Sequence, residues 1–219
     1  MCLILSMNAG HLRSRWMGTV AVSNTQKKCV VFTTVNEIKA KNGEIHWDTY
    51  VKRILDMPDT DSLVKLEGVC VNQATLYLVH EHLTCESLDS LINSKRRKGG
   101  IGHIYSSLTP SRIASYLMDI LEGMEVLHSF GFLHPGLSTK KVLITSTGRC
   151  KLYNFFLSED APNKTSDMKL KLQKVCSIND LPPETLLRNE YTQGSDVWCV
   201  AVIFWNLMTD GMFSYHKII

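Results

Sequence analysis

Apolar residues are distributed differently in the two parts of this chain. Up to about residue 80 they come in short β-branched runs: Met1 to Met7, Thr19-Val20-Ala21-Val22 and Cys29-Val30-Val31-Phe32. Ser23 to Lys28, between the last two, has the composition of a hairpin turn. Leu63 to Val71 and Thr75 to Val79 predict another hairpin around Asn72-Gln73. Trp47 to Met57 has helical spacing instead, with Trp47, Val51, Ile54 and Leu55 on one face and Pro58 to Asp61 as the stop. Five strands and one helix predict a small α+β unit.

From Ser87 onward the period is mainly helical. Ser87 to Asn93 predicts a short helix, followed by a loop containing Gly99-Gly100. Thr109 caps and Pro110 opens a helix running to about Phe130, with Ile113, Leu117, Ile120, Leu121, Met124 and Leu127 facing inward and Gly131 ending it. Val142-Leu143-Ile144 and Cys150 to Tyr153 predict a hairpin around Gly148. Residues 157–181 are polar and aperiodic, which predicts a long exposed loop. Ser195 to Thr209 predicts a helix that is apolar all round over Val197 to Met208 and therefore buried in a core. That apolar stretch is far short of the roughly 20 residues a membrane-spanning helix needs, so no membrane segment is expected.

Composition narrows the function classes. The 219 residues carry a net charge of +3, with 44% hydrophobic and 21% charged residues, as in an ordinary globular protein. No basic stripe is interleaved with aromatics, so nucleic acid is not an expected partner. The run Lys95-Arg96-Arg97-Lys98 reads as a solvated loop. Seven cysteines, with no C-x-x-C pair, point to reduced thiols and neither a disulfide framework nor a zinc site. His80-Glu81-His82 has no apparent third ligand, and no metal site is expected. The apolar start lacks a preceding basic residue and reads as a strand, not a signal peptide.

His134-Pro135-Gly136-Leu137 followed by Lys141 and Val142-Leu143-Ile144 resembles the catalytic loop of protein kinases, H-R-D-L-x-x-x-N with an apolar tail. Ser195-Asp196-Val197-Trp198 looks like the S-D-V-W helix of the tyrosine-kinase branch, and Pro182-Pro183-Glu184 like its A-P-E. Leu78 to Leu83 is similar to the hinge. Matches in this order run from Gly18 to Gly211. The resemblance implies a two-lobed α+β fold: residues 1–83 as N-lobe and hinge, residues 84–219 as a partial C-lobe ending after the central helix. By the same resemblance Gly18, Val20, Val31, His80, Glu81, Leu83 and Leu143 stand at nucleotide-pocket positions, and Ile54, His134, Phe155, Glu184 and Asp196 at structural ones. Asp196 is expected to accept backbone N–H bonds from the 134–136 turn.

The departures fall on the chemistry. Phosphoryl transfer is mostly positioning and charge neutralisation. Thr33 stands for the third-strand lysine and Tyr50 for its acidic partner. Gly136 stands for the base, Lys141 for one metal ligand, and Asn154-Phe155-Phe156 for D-F-G. Arg13 and Arg15 occupy the first two glycine positions of G-x-G-x-x-G. These departures set the expectation of a catalytically inactive, pseudokinase module: not an enzyme, without cofactor, acting as a scaffold or allosteric partner of an active kinase. Its expected place is the cytoplasm, or the cytoplasmic part of a larger receptor. One alternative is a residual ATP-binding protein or weak tyrosine kinase, holding ATP without metal through Arg13, Arg15 or Lys141. Another is a non-functional fragment, since the family's fold continues past this helix.

Overall fold

In the computed structural model the described residues are 2–9, 12–23, 26–98, 108–175 and 181–209. The Gly99-Gly100 loop and the side chains of Lys95 to Lys98 lie outside them. The chain forms two units, residues 1–60 with 64–83 and residues 61–63 with 84–219.

The β-branched runs of the first unit pair into one antiparallel sheet. Its strands are β1 (Cys2–Ala9), β2 (Arg13–Ala21), β3 (Lys27–Val35), β4 (Leu66–Asn72) and β5 (Thr75–Glu81), in the order β1-β2-β3-β5-β4. The β4–β5 turn sits at Gln73-Ala74, both at positive φ, one residue beyond the expected place. Alternation along the strands sorts the side chains. Val30, Phe32 and Val79 pack on one face with Trp16, Val20 and Tyr77.

Among the described residues two helices accompany this sheet, not one. The short α1 (Glu37–Lys41) is capped by the Asn36 side chain, which accepts from the Ile38 and Lys39 amides. In α2 (Trp47–Asp56) the buried residues are Trp47, Tyr50 and Ile54, while Leu55 is 51% exposed. The buried stripe is turned from the expected face because Tyr50, and not Leu55, meets the sheet, where Arg13 lies over its ring.

In the second unit α4 (Pro110–Ser129) is the central element. Thr109 accepts from the Arg112 amide at its start, and Gly131, at φ 72°, lets the chain turn away at its end. Tyr116 and Asp119 are buried on it, whereas Leu121 is 49% exposed, against expectation. Asp119 accepts from the Cys150 amide at 2.8 Å and pairs with Arg149 at 2.8 Å, and this demand for a buried carboxylate displaces Leu121 outward. Before α4 come β6 (Glu86–Ser87) and α3 (Leu88–Lys98), longer than the helix expected there. After it come β7 (Phe132–Leu133), β8 (Val142–Ile144), β9 (Cys150–Leu152) and β10 (Phe156–Leu157). The pairings are β6-β8-β9 and β7-β10.

Residues 157–181 contain a 15-residue helix, α5 (Ala161–Val175), where an exposed loop was expected. Its buried positions include polar residues: Thr165 is fully buried and Asp167 nearly so. Buried polar groups with local partners, such as Thr165 donating to the Pro162 carbonyl, leave no apolar period to detect. Lys169 of α5 donates to the Thr185 carbonyl and to Asn189 of the segment around α6 (Pro183–Arg188).

The last helix, α7 (Gln193–Met208), opens with a reciprocal Thr192–Ser195 cap. It is not buried all round. Ser195, Asp196, Cys199, Ile203 and Leu207 form its buried stripe, and Val197, Phe204, Trp205 and Met208 are exposed. Mean apolarity alone does not say which face meets the core.

Candidate functional site

β7 delivers the chain into the turn His134-Pro135-Gly136-Leu137, closed by the Leu137 amide donating to the His134 carbonyl at 3.0 Å. Gly136 sits at φ 73°, a conformation that favours glycine. The Asp196 carboxylate of α7 accepts from the His134 amide at 3.1 Å through each oxygen. The Tyr191 hydroxyl lies 2.7 Å from Asp196 and 3.1 Å from the His134 carbonyl. His128 Nε2 of α4 is 2.9 Å from the same carboxylate. Three segments thus hold the turn through one buried carboxylate, which keeps a buried donor from going unpaired.

The His134 ring is fully buried and donates from Nε2 to the Tyr153 carbonyl at 2.7 Å. Burial, aided by the Lys141 charge, pushes its pKa down to about 4, so it is neutral. It is a packing group and a hydrogen-bond donor in this turn. Phe155 is buried edge-on against Phe132 at 5.2 Å, and Asn154 before it takes φ 66°. Glu184 accepts from the Ser195 hydroxyl. Leu143 is half-buried in β8, opposite Lys151.

Lys141 is the charged group inside this turn. A short 3₁₀ turn, Thr139–Lys141, bends the chain so that Lys141 Nζ donates to the Pro135 carbonyl at 3.1 Å. Nζ lies 3.0 Å from the point a Cβ on Gly136 would occupy. Burial, with Lys164 nearby, lowers its pKa to about 7 against the pull of Cys199 and Asp196. Met168 of α5 fills the space beside Gly136, its Sδ 2.8 Å from that Cβ position. Among the described residues no group of three or more His, Cys, Asp or Glu could hold a metal ion. At the two positions of the resemblance, Asn154 offers a neutral oxygen and Lys141 an ammonium, a donor set that does not fit Mg²⁺.

In the first unit the register fixes what faces what. Thr33 is buried on β3 and pairs with Arg15 on β2 and Leu78 on β5. Val31 pairs with Met17 and His80. Val31, Thr33, Arg13, Arg15 and His80 therefore share a face, while Val20 packs on the opposite one with Val30 and Phe32. The structure does not bring Val20 and Val31 together as a pocket wall. Gly18 is buried and pairs with Val30. Glu81 accepts from the Lys65 amide at 2.8 Å, and Leu83 is half-buried at the end of the unit. His80 is neutral, its pKa lowered to about 3 by burial and then by the Arg15 and Arg13 charges. Tyr50 is stacked on Trp47 at 5.5 Å, and Ile54 is buried one turn on.

Sequence reasoning missed Tyr191, His128 and Met168. Their roles depend on contacts 5 to 68 residues apart, and no local pattern announces them.

The model of the family "Protein tyrosine and serine/threonine kinase" matches residues 6–219. The chain belongs to that family. It is 30% identical over 187 residues to human tyrosine-protein kinase TXK, covering 82% of this chain and 33% of that protein. It is 29% identical to fibroblast growth factor receptor 2 of Dugesia japonica over 71% of this chain and 18% of the relative. It is 26% identical to the high affinity nerve growth factor receptor of Gallus gallus over 88% of this chain and 25% of the relative. The chain thus spans a third or less of these curated relatives. The two units are the β-sheet lobe and a helical portion of the kinase fold. Membership overturns the expectation that the chain is not an enzyme, because the family is one of protein kinases and its relatives include named tyrosine kinases. The substitutions at Thr33, Tyr50, Gly136, Lys141 and Asn154 are changes of residue, not a demonstrated loss of activity. Among the described residues no helix is long and apolar enough to cross a membrane.

Proposed function

We propose that this chain is a weak protein kinase domain of the tyrosine-kinase type, which binds ATP without a divalent cation and transfers phosphate slowly. The substrate hydroxyl oxygen bonds to the γ-phosphorus, the bond to the β-phosphate oxygen breaks, ADP leaves, and the hydroxyl proton passes to water. On this reading the domain works in the cytoplasm, alone or as part of a receptor.

The observation that carries the reading is Lys141, whose ammonium is held in the turn against the Pro135 carbonyl and beside Gly136. A cation held in place by its own turn stabilises phosphate charge with little reorganisation. The turn around it keeps its anchor through Asp196 and Tyr191. Gly136 offers no proton acceptor, and general-base assistance typically contributes about 10²–10⁴-fold, so transfer is slow.

The test is a thermal-shift titration with ATP in EDTA and in Mg²⁺, alongside phosphate transfer to a tyrosine-containing peptide. Stabilisation by submillimolar ATP in EDTA, lost in Lys141→Met, is the expected result. A shift that appears only with Mg²⁺, or none at all, overturns it.

A further inference from the structure

We propose that α5 is a strap that covers the Gly136–Lys141 turn and opens from it, with Asn189 at the end of α6 as its catch. Opening changes access to the Lys141 amine, whichever ligand approaches it.

The cover is Met168. Its Sδ lies 2.8 Å from the point a Cβ on Gly136 would occupy, and Lys141 Nζ lies 3.0 Å from the same point. Thioether and ammonium are therefore neighbours beside Gly136, while Nζ donates to the Pro135 carbonyl at 3.1 Å. The strap, the turn and the catch all belong to the second unit.

The root of the strap is Ala161, fully buried against Leu133 and Tyr191. Among the described side chains of α5, residues 161–169, Ala161 is the one apolar side chain that is buried. Past the root the helix is held by polar contacts. Asn189 Nδ2 donates to the Ser166 hydroxyl at 2.8 Å, and that hydroxyl donates to the Pro162 carbonyl at 3.0 Å. Lys169 Nζ donates to Asn189 Oδ1 at 3.2 Å and to the Thr185 carbonyl. Asn189 presents its amide to α5 from the left-handed region, at φ 58°, where it ends α6. Hydrogen bonds exchanged with water each add little net stability. With so little apolar burial, the helix past its root opens at far lower cost than the unit unfolds.

The experiment acetylates the full chain with a small amine-reactive ester. Peptide mass spectrometry reads Lys141 against Lys52, which is exposed on α2. Rates from pH 7 to 10 separate the pKa of the amine from the plateau rate of its neutral form, and the plateau reports access. The proteins are wild type, Met168→Ala, Asn189→Gly, Ser166→Ala and the double variant Met168→Ala/Asn189→Gly. Glycine at position 189 keeps the left-handed backbone and removes the amide. Melting curves show which variants fold, and Ser166→Ala stands in where Asn189→Gly does not. The Lys141 plateau rises about tenfold in Asn189→Gly, the change in an opening equilibrium that two lost hydrogen bonds bring. It rises at least as much in Met168→Ala. The double variant gains little more, since both changes uncover one amine. An unchanged plateau in Met168→Ala overturns the cover. A rise in Met168→Ala without one in Asn189→Gly overturns the catch. Fully additive gains in the double variant show two independent effects and overturn the strap. None of these measurements uses ATP, so a failure of nucleotide binding leaves the strap standing.

Discussion

The Arg13 guanidinium lies 3.9 Å above the Tyr50 ring, and Tyr50 is stacked in turn on Trp47 with the two rings 6° from parallel. The guanidinium is also 5.8 Å from the Trp47 ring, so it lies near both rings and joins β2 to α2 within the first unit. The kinase resemblance puts an acidic residue at position 50 and a lysine at position 33 for the same purpose. Here the link between sheet and helix persists by other chemistry, a cation over an aromatic face. Desolvation strengthens such a contact to about 2 kcal/mol or more, against 0.5–1 kcal/mol at the surface.

Arg13→Met keeps the aliphatic stem and removes the cation, so it isolates that contact. It should cost about 1–2 kcal/mol in a urea unfolding series. In a double-mutant cycle with Tyr50→Leu the two losses should not add, leaving a coupling energy of about 1 kcal/mol or more. Additive losses would show that the stack is geometric only.

How much of this was legible depends on what kind of contact each residue makes. The strand runs around Val30 and Phe32 and the Thr109-Pro110 helix start are local signals, and the structure has those elements. The α5 helix left no local signal because Thr165 and Asp167 occupy buried positions that a periodic sequence would give to apolar residues. The departures at Gly136 and Lys141 could be read off an aligned motif. That Lys141 reaches the Pro135 carbonyl, and that Met168 closes on Gly136 from α5, required the folded chain. The Arg15–Thr33 pair likewise needs the strand register, and the same register separates Val20 from Val31.

Two buried histidines set the response to acid. His80 titrates in the fold at about 3 and His134 at about 4, both pushed down first by burial, from an unperturbed value near 6.5. Between those values and 6.5 the unfolded chain binds the protons and the folded chain does not. Stability is therefore greatest above pH 6.5 and falls as the pH drops toward 4 and then 3. Melting temperatures from pH 7.5 to 4 should decline, and His134→Phe should flatten the part above pH 4. A slope unchanged by that substitution would assign the acid loss to other groups.

Gly136 resists restoration of the residue the resemblance expects there. Its φ of 73° disfavours side chains, and a Cβ would meet Met168 Cε and Sδ and lie 3.0 Å from Lys141 Nζ. Gly136→Asp should therefore destabilise by about 1–3 kcal/mol, through overpacking and backbone strain together. It should not raise peptide phosphorylation by itself. Paired with Met168→Ala it should recover the overpacking part of that loss, though not the backbone strain, and increase the rate at least tenfold, because a proton acceptor then stands beside the substrate hydroxyl. A rate increase in the single variant would show that Met168 is easily displaced.

Lys141 ties stability and nucleotide affinity to one proton, in opposite senses. Its pKa in the fold is about 7, depressed from 10.5 first by burial. Between 7 and 10.5 the unfolded chain holds the proton and the folded chain does not, so this residue makes stability rise with pH across that window. Below pH 7 the folded chain carries the desolvated charge in full, and Lys141→Met should melt higher than wild type there, with the gap closing toward pH 10. ATP needs the charged form. Its affinity for the ligand-free protein should fall as the pH rises from 6 to 8, more in wild type than in Lys141→Arg, whose guanidinium stays charged. Bound phosphate raises the lysine pKa in return, so ATP should shift the midpoint of the affinity profile above 7. Parallel profiles for wild type and Lys141→Arg would show that this ammonium does not meet the phosphates.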